Sequence, residues 1–326
     1  SLVIGSLRSI FNLITGTDPP TSGHASIPSS PLFNNGTSAD SSNNTNTTAY
    51  LSFSQSILPL ITVNGADSND RIVLKGASGV GQLFVAGGEG DDTLVVDFGD
   101  GNPIPSGGLF YDGGAGFDAL AIYGGSFNNI LYTPSSPNSG AIDFDGSRMR
   151  YENIEPIDDF SAGTLTITGT SGDDVIDIVN GTVLANGTTP CPVACIEVRS
   201  PQFEKVIFAN KTSVTVNGAG GNDTITLNIT AAAVGLTSLT VQGGAGTNAL
   251  IVTNLASGVT YSSSDLTLAV EGFFWVSGNF AIRKTSATVT LSDSSTVNAD
   301  VLTVGGDNVS AFVGVNGGTA SEVGLS

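Results

Sequence analysis

An aspartate, or once an asparagine, recurs at the sixth place of an eight-residue frame that opens on glycine and closes on an apolar residue. The copies read Gly65-Ala-Asp-Ser-Asn-Asp70-Arg-Ile72, Gly87-Gly-Glu-Gly-Asp-Asp92-Thr-Leu94, Gly113-Gly-Ala-Gly-Phe-Asp118-Ala-Leu120, Gly169-Thr-Ser-Gly-Asp-Asp174-Val-Ile176, Gly218-Ala-Gly-Gly-Asn-Asp223-Thr-Ile225 and Gly243-Gly-Ala-Gly-Thr-Asn248-Ala-Leu250. A carboxylate in a glycine-rich turn suits a hard cation. Calcium takes about six to eight oxygen ligands, and stacked turns bring carboxylates and carbonyls together. Calcium is therefore the expected cofactor, with Asp92 and Asp118 the best ligands and Asp70, Asp174 and Asp223 next. The competing reading is an aspartate that caps its own turn.

Other constellations point less far. A hydrolase needs two carboxylates facing one bond across a cleft, whereas Asp91-Asp92, Asp158-Asp159 and Asp173-Asp174 are neighbours in sequence within turns. A lyase acting on acidic sugars needs clustered basic residues, and the 10 Lys and Arg are scattered. Arg148 and Arg150 are spaced to share a strand face, where an ion pair with Asp143, Asp145 or Glu152 is the expected use. The single histidine, His24, stands in a polar tract and argues against a Ser-His-Asp triad. Phe273-Phe274-Trp275 reads as a core or interface plug in preference to a carbohydrate platform. No catalytic residues are expected.

Cys191 and Cys195 are the only cysteines, without the neighbouring ligands a metal site requires. They are expected to close a small local disulfide, which implies an oxidising compartment. Nine Asn-x-Ser/Thr sequons, at Asn35, Asn43, Asn46, Asn180, Asn186, Asn210, Asn222, Asn228 and Asn308, are candidate glycosylation sites of a glycoprotein. Asp and Glu number 29 against 10 basic residues, a formal charge of -19. That balance repels a phosphate backbone, so nucleic acid is not an expected partner. No apolar run reaches the ~18 residues of a membrane span.

These residues need elements to position them. Short runs of Val, Ile, Leu and Thr alternate with Gly/Asp/Asn turns, the pattern of strands, and no helical period is sustained. Frame starts at 65, 87 and 113 lie 22 and 26 residues apart and those at 218 and 243 lie 25 apart, a roughly constant spacing, so coil is expected to stack on coil. The 49 residues from Gly169 to Gly218 read as about two coils, and Ala287 to Gly306 as a last eroded copy. The expected fold is all-β, a solenoid-like or sandwich-like stack of short-strand repeats with an N-terminal extended arm. Its segments are 1–16, an apolar assembly arm; 17–50, a Ser/Thr/Asn/Pro-rich linker; 51–162 and 163–276, two β-repeat modules; and 277–326, a degenerate C-terminal repeat or cap.

The segments Gly87–Val95 and Gly113–Ala121 resemble the GGxGxDxUx nonapeptide of RTX-type calcium-binding β-rolls. Residues 63–275, with phrases such as Phe110-Tyr111-Asp112-Gly113-Gly114-Ala115-Gly116, look like the Gly/Asp-rich repeat regions of large bacterial secreted surface proteins. The resemblance implies secretion and calcium held by aspartates and turn carbonyls. Here the nonapeptides are isolated by strands instead of following one another, and Asn248 replaces the sixth aspartate.

The expected function is that of a structural subunit of an extracellular filament, sheath or surface layer, self-assembled head to tail through its terminal arm and the ends of its β stack. A cell-surface adhesin or carbohydrate-binding module that recognises glycans is the alternative, and a β-helix polysaccharide-active enzyme the third reading. Mass spectrometry of freshly isolated protein is expected to find Cys191 linked to Cys195; two free thiols would refute the pairing.

Overall fold

Alternating apolar and small polar residues favour strands that bury one face, and the computed structural model is all-β. It describes residues 2–4, 40–41, 47–53, 60–77, 80–181, 194–270, 274–292, 294–315 and 323–325, among which there is no helix. The chain forms two compact units, Ser1–Ala162 with Glu204–Val206, and Gly163–Phe203 with Ile207–Ser326.

The first unit contains β1 (Leu2–Ile4), β2 (Asp40–Ser41), β3 (Thr47–Phe53), β4 (Ile61–Asp67), β5 (Asp70–Ala77), β6 (Leu83–Glu89), β7 (Thr93–Asp97), β8 (Leu109–Ala115), β9 (Ala119–Tyr123), β10 (Ser126–Ser136), β11 (Ser139–Phe144), β12 (Ser147–Glu152) and β13 (Ile157–Asp159). One parallel sheet runs β1-β4-β6-β8-β12 and a second runs β3-β5-β7-β9-β13. Each coil gives one strand to each sheet, and the glycine-aspartate frame makes the corner between them. The register brings like residues together. Ile61, Leu83, Leu109 and Met149 align in one sheet, Ile72, Leu94, Leu120 and Ile157 in the other, and all are buried. Between β9 and β13 the chain leaves the coil as an antiparallel meander, β10-β11-β12, whose last strand rejoins the first sheet beside β8.

The second unit repeats the plan with β14 (Ala162–Thr168), β15 (Val175–Asn180), β16 (Ile196–Ser200), β17 (Phe203–Phe208), β18 (Lys211–Asn217), β19 (Thr224–Asn228), β20 (Ser238–Gln242), β21 (Ala249–Asn254), β22 (Thr260–Val270), β23 (Phe274–Thr290), β24 (Thr296–Val315) and β25 (Val323–Leu325). Its parallel ladders are β14-β18-β20-β22 and β15-β19-β21. Leu165, Val214, Leu239 and Tyr261 form one buried row, and Ile176, Ile225 and Leu250 another.

Four details differ from the sequence-based expectation. The 49-residue step from Gly169 to Gly218 is one coil, because Thr164–Thr168 pair directly with Ser213–Asn217 and Val175–Val179 with Thr224–Asn228. The extra length is an excursion in which β16 returns antiparallel on β15. The supposed last repeat around Ala287–Gly306 is no coil but an antiparallel ribbon of β23 and β24. At the other end, Leu2–Ile4 of the apolar arm pair in parallel with Ile61–Val63 of the same chain, covering a sheet edge that would otherwise be open. β3 opens at Thr47, inside the tract read as linker. Residues 5–39, including His24, lie outside the described residues.

The opening glycine of each frame is required by this stacking. A Cβ on Gly87 would meet the Gly113 carbonyl of the next coil and Oδ2 of Asp92 in its own frame; on Gly218 it would meet the Gly243 carbonyl and Asp223 Oδ2. Gly305, on the ribbon, has nothing within 4 Å. Gly87→Ala is therefore expected to destabilise the protein by about 1–3 kcal/mol through overpacking, and Gly305→Ala to change stability by less than about 0.5 kcal/mol. Urea unfolding midpoints of the two variants test this.

Candidate functional site

The frame residues form two hydrogen-bond ladders that run in opposite directions. At the sixth position the side chain of each coil reaches the backbone of the coil before it. In the first unit Asp92 Oδ1 accepts from Asp70 N at 2.7 Å, and Asp118 Oδ1 from Asp92 N at 2.7 Å. In the second unit Asp223 Oδ1 accepts from Asp174 N at 2.9 Å, and Asn248 Oδ1 from Asp223 N at 2.8 Å. After the meander, Glu155 takes over the role, its Oε2 standing 3.5 Å from Asp118 N. At the fifth position the side chain reaches forward instead. Asn69 Oδ1 accepts from Asp91 N, Asp91 Oδ1 from Phe117 N, Asp173 Oδ1 from Asn222 N and Asn222 Oδ1 from Thr247 N.

The doublets Asp91-Asp92 and Asp173-Asp174 are thus split between two tasks. Asp91 and Asp173 stay at the surface and bind forward; Asp92 is buried and binds back to Asp70 N, and Asp174 is buried and binds Thr170 of its own frame. The fifth-position ladder was missed in the sequence, although its signal is present. Asn or Asp stands there in the frames followed directly by another, while Phe117 precedes the meander and Thr247 ends the series.

The second carboxylate oxygen is left over. Oδ2 of Asp92, Asp118 and Asp223 is buried and has no hydrogen-bond partner among the described residues. In the fourth frame Thr170 fills this need, donating from its N to Asp174 Oδ2 at 2.7 Å and from Oγ1 to both oxygens. The sixth frame reveals the preferred chemistry. Asn248 Nδ2 points the same way and donates to the carbonyls of Gly244 (3.3 Å) and Asp265 (3.4 Å). The position favours an acceptor toward one coil and a donor toward a carbonyl on the other side. A protonated aspartate meets both requirements. Burial accordingly pushes Asp92 up to about 7 and Asp118 up to about 6 from an ordinary 3.8, with Asp118 and Asp70 adding repulsion at Asp92 and Glu155 at Asp118. Asp174 and Asp223 are raised too, again chiefly by burial.

This geometry bears on the calcium expectation. Each carboxylate that was a candidate ligand faces inward. Asp92, Asp118 and Asp223 each hold a backbone N–H with one oxygen and turn the other over their own glycine. Among the described residues no group of three or more acidic, His or Cys side chains is placed to hold a metal ion. The donor set falls short of the roughly six to eight oxygens that calcium takes, so no role for these residues is derived through a bound cation.

The other candidate residues are dispersed. Cys195 is buried and is not a free thiol, while Cys191 lies outside the described residues. Asn180 gives its side chain to Thr230 and Ala231, Asn222 accepts from Thr247 N, and Asn228 accepts from Asn254. Those sequons are engaged within the fold. Asn210 and Asn308 are exposed, and Asn35, Asn43, Asn46 and Asn186 lie outside the described residues.

A second site lies on the outer face of the first sheet of the first unit. Thr62, Phe84, Phe110 and Arg150 occupy one register row, and the two phenyl rings stack with centroids 5.0 Å apart and planes 19° apart. A groove of about 580 Å³ lies alongside, floored by Gly107 and Gly108 and flanked by Gln82 and Arg148. The ion pairs expected for Arg148 and Arg150 do not form among the described residues. Asp143 Oδ1 accepts instead from Gly146 N, and the two oxygens of Asp145 from Asn128 N and Asn129 N.

No family model, curated protein or solved structure matches the chain. No described helix is long and apolar enough to cross a membrane.

The raised aspartates predict how stability varies with pH. A group whose pKa is higher folded than unfolded stabilises most below its unfolded value, here near 3.8, and loses that contribution as pH rises through about 6 to 7. Asp158, raised to about 6, and Glu204, raised to about 8, act in the same direction. The urea midpoint is therefore expected to rise as pH falls from 8 to 5. Asp92→Asn should flatten that rise while keeping the bond to Asp70 N. Asp92→Ala should lose about 1–3 kcal/mol at pH 5 by stranding a buried N–H. An unchanged pH slope in Asp92→Asn would count against a neutral carboxyl at this position.

Proposed function

We propose that the chain is a structural subunit of an extracellular filament, sheath or surface layer, non-catalytic and assembled with copies of itself. The observation that carries this reading is the C-terminal ribbon. Among the described residues, β23 from Thr285 to Thr290 pairs with β24 alone, and the outer edge of β24 is paired only at Val313–Val315, where β25 lies. A two-stranded ribbon is marginally stable in water by itself.

Ala287, Val289, Val297, Ala299 and Val301 share one side of the ribbon, while the Lys284–Asp300 ion pair (3.0 Å) and the Ser286–Asp300 and Thr288–Asn298 hydrogen bonds lie on the other, together with exposed Leu302 and Val304. Val289, Val297 and Val301 are exposed. An apolar strand face beside an unpaired edge favours addition to another sheet. The N-terminal arm offers a second route, since the edge of β4 that accepts Leu2–Ile4 could take the same segment from a neighbour. A formal charge of -19 opposes association of copies, so salt and divalent cations, calcium included, should promote assembly by screening.

Negative-stain microscopy and sedimentation test the reading. The wild-type chain should form regular polymer that increases with salt. Val297→Lys combined with Val301→Lys should cut the sedimenting fraction at least tenfold with the melting temperature unchanged. Deleting residues 1–16 separates the contribution of the arm. Absence of polymer from the wild-type chain at all salt concentrations, or polymer unaffected by both changes, would overturn the proposal.

A further inference from the structure

We propose that the groove beside the Phe84–Phe110 pair binds a uronic acid residue of an acidic glycan, its carboxylate held by Arg148 and Arg150. This goes beyond the assembly reading and does not rest on it.

The groove exists because the outward row two residues before the phenylalanines contains Gly108, which leaves a gap between Gln82 and Arg148. Its volume of about 580 Å³ lies within the roughly 300–1,000 Å³ range of small-molecule sites. In a chain with 29 acidic and 10 basic residues, two exposed arginines two places apart on one strand face, with no ion pair among the described residues, are a local concentration of positive charge. Lys75, Arg199 and Lys284 all have carboxylate partners.

The floor narrows the choice of anion. A phosphate site uses free backbone N–H groups, but Gly107 N donates to Gly81 O at 2.7 Å, Gly108 N to Pro105 O at 2.9 Å and Leu83 N to Gly108 O at 3.1 Å. Guanidinium groups are the donors left for an anion, and their planar fork matches a carboxylate. The phenyl pair supplies apolar surface for the C–H face of a ring. Thr62 and Gln82 supply a hydroxyl and an amide for ring hydroxyls. A ligand with one carboxylate, several hydroxyls and an apolar face is a sugar acid. The overall negative charge favours a short acidic stretch over a long polyanion.

Isothermal titration of the full chain with tri-galacturonate tests the assignment, with its methyl ester and inorganic sulfate as comparison ligands. Tri-galacturonate should bind, the ester should bind at least tenfold more weakly, and Arg150→Gln should lose at least tenfold in affinity with an unchanged melting temperature. Phe110→Leu, which keeps apolar bulk, should lose severalfold. No binding of tri-galacturonate, equal binding of the ester, or wild-type affinity in Arg150→Gln would each overturn the proposal. Sulfate binding as tight as tri-galacturonate would overturn it in favour of a simple anion site.

Discussion

The hydrogen bond from a frame carboxyl to the backbone of the preceding coil is the interaction on which the rest of each unit depends. Parallel strands join one coil to the next along the two sheets, and backbone bonds such as Gly90 N to Ala115 O and Ala119 N to Asp92 O carry the ladder into the corners without reaching the N–H of the sixth-position residue. There the chain turns sharply, and the N–H of the sixth-position residue would be buried without a partner, at a cost of about 1–3 kcal/mol. The side chain of the next coil satisfies that group, as Asp118 does for Asp92, and the fifth-position side chain ties an exposed N–H of the following coil, as Asp91 does for Phe117. With the corners tied, the sheets keep the registers that align Leu83 with Leu109 and Leu94 with Leu120. The glycine that opens each frame then has a packing reason, since the carboxyl of its own frame and the carbonyl of the next coil fill the space a side chain would need.

Much of this was legible in the sequence. Strand-turn alternation and the constant place of aspartate in the frame were enough for an all-β stack of coils. What the spacing could not reveal is direction. Whether Asp92 caps its own turn, holds a cation or reaches the coil before it depends on which way the side chain leaves the corner, and the same residues at the same intervals suit all three. Asn248 shows one direction, since its amide oxygen accepts from the coil before and its Nδ2 donates to carbonyls on the other side. The 49-residue step misled because length alone does not separate two coils from one coil with an excursion. The ribbon misled because β23 and β24 have the composition of the coils but no frame aspartate to tie a corner.

The groove was hidden for another reason. Phe84 and Phe110 stand 26 residues apart, the same offset as Gly87 and Gly113, so their alignment could be read once the coil length was known. The arginines join them through the meander, which returns β12 beside β8 after a detour whose length nothing in the repeat dictates. Asp143 and Asp145, the expected partners of those arginines, are drawn into capping the backbone nearby.

A column of buried carboxyls also sets a limit on how long such a stack can grow. Each ionised rung raises the work of ionising its neighbour, and within a low-dielectric corner that repulsion is poorly screened. The chain interrupts the accumulation at intervals. In the second unit Thr170 donates to Asp174, and Asn248, which cannot ionise, ends the run, whereas in the first unit Glu155 adds to the repulsion at Asp118. Lengthening the array by copying one coil many times would remove these breaks. Variation among the frames is therefore a condition for stacking them, and a perfectly regular version of this repeat would be electrostatically the less stable one at neutral pH.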